Sequence, residues 1–186
     1  MNYKAIFRKL IPMRWQRTSK DAPLSIVLLL RKPHLFSAEE LRLAAQRAWH
    51  ISFAGDEGSM HCVAQSGEVI LLKAGPHLLN LFYYPKPYID NPKEQIDWLP
   101  QVSQQRAWVE HSACVAVDYL NHNIDVQLGY CVLSKLVAEM LDRNCTGIYI
   151  PRENRLIPND ESLYSELQRV AAARDSRVAT ANLTPV

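Results

Sequence analysis

Seven residues, Leu24-Ser-Ile-Val-Leu-Leu-Leu30, constrain the fold more than any other stretch of the chain. Six of the seven are large aliphatics, and Ala-Pro before them and Arg-Lys-Pro after them mark the ends. A run this short is not a globular helix; it reads as a strand buried on both faces, and so it belongs in the middle of a sheet. Just beyond Pro33, Phe36-Ser37-Ala38-Glu39-Glu40-Leu41 has the form of a helix start, in which Ser37 accepts from the Glu40 backbone and the Glu40 carboxylate reaches back to the Ser37 N–H. Phe36 and Leu41 occupy the flanking staple positions. Leu41, Ala44, Ala45, Ala48 and Trp49 then recur at helical spacing to make the stripe that packs on the sheet.

Further along, Met60 to Ala64 and Val69 to Leu72 read as strands joined through Gln65-Ser-Gly-Glu68, after a turn at Gly55-Asp-Glu-Gly58. His77 to Tyr84 adds a third strand, and the three are expected to form an antiparallel meander. Ser103 is expected to cap a short helix through Trp108 that leads into a second buried strand, Ala113 to Tyr119. After a polar connection from Asn121 to Asp125, the spacing of Leu133, Leu136, Val137, Met140 and Leu141 predicts a helix that Arg143-Asn144 would end. Gly147 to Ile150 is the next strand. Strand, helix and strand make a βαβ-like unit, with a right-handed crossover if the strands are parallel. Asn159 is expected to cap a last helix from Asp160 to about Arg174, with Leu163, Leu167, Val170 and Ala171 inward. These elements predict an α+β fold, a two-layer sandwich with a mixed sheet of about six strands and helices mainly on one face.

The length of 186 residues and a hydrophobic content of 48% suit one core with appendages. The reading is an arm over 1–22, a single α+β domain over 23–157, a C-terminal helix over 158–175 and a tail over 176–186. Residues 1–20 of the arm carry Lys4, Arg8, Lys9, Arg14, Arg17 and Lys20 without an acid, which leaves 15 basic against 19 acidic residues in the rest of the chain. A nucleic-acid binder would carry its basic stripe on the folded body, so that class is disfavoured. Tyr3, Ile6, Phe7, Leu10 and Ile11 give the arm a helical apolar spacing up to Pro12. Three readings compete for it: packing on the body or a second copy, a membrane-surface segment through residues 1–20, or an organelle transit peptide.

Catalytic and metal-binding motifs are missing from the sequence. Cys62, Cys114, Cys131 and Cys145 have no zinc spacing and read as buried thiols in a reducing, cytoplasmic setting. There is no glycine-rich phosphate loop, HExxH or GxSxG, so no metal or cofactor is expected. Glu110-His111 at the mouth of the second buried strand is the one local acid–base candidate, with the alternative that His111 hydrogen-bonds backbone. Pro85, Pro87, Pro92 and Pro100 keep the intervening stretch out of a central sheet. Its aromatics, Tyr83, Tyr84, Tyr88 and Trp98, with Trp108 beyond, are the candidate binding residues; the alternative is that they only cap the core.

The Phe-Ser-Ala-Glu-Glu-Leu helix start, the Tyr84-Pro-Lys-Pro-Tyr88 segment and Ala107-Trp-Val-Glu-His111-Ser-Ala-Cys-Val-Ala-Val117 together resemble an uncharacterised bacterial family known only as a domain of unknown function. The resemblance runs from about Leu24 to Ile157. Ser112 and Ala113 stand where that family usually has a second histidine before the strand. The resemblance implies a ferredoxin-like α+β layout and supplies no activity. The function expected is a non-catalytic binding or interaction module, whose partner is another protein, for example a toxin to be neutralised, or a second copy. The alternatives are a small enzyme centred on His111 with Glu110, and a peripheral membrane protein held by the arm.

Overall fold

The structure is a computed structural model that describes residues 24–53, 59–121 and 125–172. The arm, the Gly55–Gly58 turn, most of the Asn121–Asp125 connection and the tail lie outside the described residues. Seven strands form one open sheet: β1 (Leu24–Leu30), β2 (His61–Ser66), β3 (Val69–Ala74), β4 (His77–Tyr84), β5 (Ala113–Tyr119), β6 (Cys145–Ile150) and β7 (Arg155–Pro158). The spatial order is β2-β3-β4-β5-β1-β6-β7. All six neighbouring pairs are antiparallel, so the sheet is not mixed.

Every residue of β1 is buried, as its aliphatic run requires. It lies between β5 and β6, and because both run antiparallel to it, they run parallel to one another. The strand–helix–strand unit expected from the sequence is therefore split, with β1 inserted through its middle. The meander is present and continues into β5, with Gly67 and Gly75 supplying the positive φ of its two tight turns.

Four helices accompany the sheet among the described residues: α1 (Ala38–Trp49), α2 (Val102–Glu110), α3 (Val126–Met140) and α4 (Glu161–Ala172). The Ser37–Glu40 capping box closes both ways, at 3.1 Å from the Glu40 N–H to Ser37 Oγ and 2.8 Å from the Ser37 N–H to Glu40 Oε2. Alternate residues of β1, namely Ile26, Leu28 and Leu30, meet Leu41, Ala44 and Ala45 of α1 and Leu133, Leu136 and Val137 of α3 in the larger core. Leu163 and Leu167 put α4 in that same core, against α3.

The remaining differences are local. β7 was not expected; it exists because β6 offers an unpaired edge, to which Leu156 and Ile157 pair opposite Tyr149 and Ile148. α2 begins at Val102 behind Gln101 rather than at Ser103, and the Gln101 N–H donates to the Gln104 side chain at 3.3 Å. α3 stops at Met140, before Arg143. Asn144 serves the bend after β1 instead of ending the helix: its amide accepts from the Lys32 N–H and donates to the Lys32 carbonyl, both at 3.0 Å. Asp160, not Asn159, accepts the Ser162 N–H at the start of α4, while Asn159 donates to the Asp142 and Cys145 carbonyls.

Candidate functional site

The second face of the sheet carries Val27 and Leu29 of β1, Cys114 and Ala116 of β5, Tyr149 of β6 and Leu156 of β7. The proline-rich segment and α2 lie over them. Prolines remove backbone donors and forbid continued pairing after β4, so the chain leaves the sheet at Tyr84, turns through a single 3₁₀ turn at Pro92–Glu94 and returns as α2. On the way it sets Tyr88, Ile89, Ile96, Trp98 and Leu99 down on this face.

The rings form one edge-to-face group around Tyr149. Trp98 and Trp108 meet at 5.4 Å and 89°, and Tyr149 lies 5.5 Å from Trp108 and 5.1 Å from Tyr88 between centroids. Such pairs add stability beyond their buried area. Trp108 is 2% exposed, whereas Tyr84, Tyr88 and Trp98 are half-buried. Tyr83 departs from this group. Strand alternation turns it to the first face, where it lines a shallow groove with Leu35, Phe36, Glu68 and Ile70. The groove encloses about 10 Å³, room for one water.

His111 closes α2 and is 3% exposed. Its Nε2 accepts the Tyr88 backbone N–H at 3.0 Å, and its Nδ1 faces the Trp108 carbonyl, to which it donates. Burial pushes the imidazole pKa down, and the Trp108 carbonyl opposes that in part. Glu110 turns to two guanidinium groups, Arg106 at 2.6 Å and Arg31. The Arg106 hydrogen bond holds its carboxyl below the usual range. The two candidate acid–base residues are therefore adjacent in sequence but engaged with different partners.

One feature of the second face was missed in the sequence. Asp118 of β5 is 6% exposed and accepts the Ser25 hydroxyl of β1. Burial pushes its carboxyl up to about 6, with the Ser25 hydrogen bond acting in the opposite sense. Asn80 of β4 pairs directly opposite Asp118 and is fully buried. The only signal would have been a polar residue at an alternating position in each of three apolar strands, and connecting them needs the register.

Among the described residues no three His, Cys, Asp or Glu side chains gather as a metal site, and no helix is long and apolar enough to cross a membrane. The four cysteines are buried and lie outside any disulfide. The chain matches no family model, no curated protein and no solved structure.

Proposed function

We propose that this chain is a non-catalytic protein-interaction module whose contact surface is the outer side of the proline-rich cover. The observation that supports it is the half-buried state of Tyr84, Tyr88 and Trp98: each packs against the apolar cluster of the second face and each keeps part of its surface in solvent. Rigid aromatics lose little entropy on binding and dominate protein contacts. The one acid–base candidate does not compete well, since His111 spends both ring nitrogens on main-chain groups. A partner protein such as a toxin fits this class, and the buried thiols suit a cytoplasmic setting. The split β5–α3–β6 unit supports a ferredoxin-like reading of the layout, in keeping with the uncharacterised bacterial family that the sequence resembles.

The test is to isolate the chain with a stoichiometric protein partner and then replace the exposed Lys86 and Lys93 of the cover by Glu. The expected result is at least tenfold weaker binding with an unchanged denaturant midpoint. Unchanged affinity would remove the cover from the interface.

A further inference from the structure

Register lines up a row of side chains across the second face: Leu71 of β3, Asn80 of β4, Asp118 of β5 and Ser25 of β1. All are deeply buried, at 2% for Leu71, 0% for Asn80, 6% for Asp118 and 1% for Ser25, and Cys62 on the same face of β2 is 4% exposed. Neither polar atom of the Asn80 amide has a hydrogen-bond partner among the described residues. The proline-rich cover does not account for this burial. Its cluster includes no residue of β2 or β3 and ends on β5 at Ala116, and Leu71 and Cys62 belong to neither apolar cluster. This half of the face needs another occupant.

We propose that the occupant is the chain's own N-terminal arm, residues 1–23, docked across β1, β5, β4 and β3. Its point of attachment is at the row itself, because Leu24 immediately precedes Ser25. Four interstrand steps carry it about 19 Å to β2, and 23 residues span about 35 Å even as a helix. Its chemistry matches the surface. Ile6, Phe7, Leu10 and Trp15 suit Leu71 and Cys62, while six cationic residues against the single acid Asp21 supply donors for the Asp118 carboxylate and the Asn80 carbonyl. The other segments outside the described residues are poorly placed: 173–186 departs from α4 on the first face, and 54–58 and 122–124 are short connections.

Cys62 reports directly on this docking, with Cys114 as an internal control in the cluster under Trp108. The intact chain and a chain lacking residues 1–20 are treated with iodoacetamide, and labelling at each cysteine is followed by peptide mass spectrometry. In the intact chain all four thiols are expected to react slowly. Deletion is expected to speed Cys62 at least tenfold and leave Cys114 slow. Fast labelling of Cys62 in the intact chain, or no acceleration in the folded truncated chain, would overturn the proposal. Should the truncated chain not fold, the intact chain carrying Ile6→Asp and Phe7→Asp gives the same readout, with acceleration at Cys62 alone expected and an unchanged rate overturning it. Binding of the intact chain to phosphatidylserine vesicles with Cys62 still protected would also overturn it, since the arm would then lie on lipid.

Discussion

The ring of His111 accepts the backbone N–H of Tyr88 through Nε2 at 3.0 Å, a contact that fastens the proline-rich cover to the C-terminal end of α2. His111→Gln leaves the Tyr88 N–H or the Trp108 carbonyl without its partner, at an expected cost of about 1–3 kcal/mol. The pH dependence has a definite sign. The folded pKa lies below the ordinary 6.5, so the unfolded chain takes up the proton first as pH falls. The contribution of His111 is complete above 6.5 and is lost as pH falls through the lower folded value. Urea midpoints of both proteins at pH 7 and pH 5 check this: the gap between them should narrow in acid.

Asp118 acts in the opposite sense. Its folded carboxyl is pushed up to about 6 from 3.8, so the native protein holds the proton longer than the unfolded chain as pH rises. The contribution is complete below about pH 4 and lost as pH rises through 6, a difference of about 3 kcal/mol. Asp118→Asn keeps an acceptor for Ser25 and cannot ionise. Its stability relative to the native chain should grow between pH 4 and pH 7, and a difference that stays flat would mean that Asp118 does not titrate in this range.

Gly147 pairs with Pro158 across β6 and β7, and the β7 backbone leaves no room for a side chain there. A Cβ there would stand 2.6 Å from the Ile157 carbonyl oxygen and 3.2 Å from the Pro158 Cα, both backbone atoms. Gly147→Ala is expected to cost about 1–3 kcal/mol and to loosen β7 selectively. Hydrogen exchange should show the loss at Ile157 before any change at the amides of β1.

Ser37→Ala removes one arm of the capping box of α1 and should cost about 1 kcal/mol. The urea midpoint checks it, and Glu40→Gln, which keeps an acceptor for the Ser37 N–H, should cost less.

What the sequence made legible was local. The aliphatic run of β1, the capping box and the hairpin glycines each carry their signal within about eight residues, and each element stands where that signal puts it. What escaped depends on pairing. β7 is a four-residue stretch with too little alternation to read, and it is a strand only because β6 has an edge to fill. Asn144 follows a helical pattern and resembles a cap, yet its amide is held by Lys32, more than a hundred positions earlier. The candidate aromatics divided for the same reason: neighbours on a strand face opposite ways, so Tyr83 went to one side of the sheet and Tyr84 to the other. Ser25, Asp118 and Asn80 become a group only once the register of three strands is known.

The insertion of β1 between two later strands sets an order of events during synthesis. Leu30 emerges from the ribosome about 115 residues ahead of Cys145, its partner on β6, an interval of roughly 6 to 23 s at ordinary translation rates. For that time Leu-Ser-Ile-Val-Leu-Leu-Leu has no strand on that side to hydrogen-bond with, while β2, β3 and β4 can already close their short hairpins. An uncharged, proline-free aliphatic segment left unpaired is the kind that associates with other chains. The most deeply buried strand of the finished protein is thus the most vulnerable stretch of the nascent one, and overproduction at high temperature should favour inclusion bodies through it.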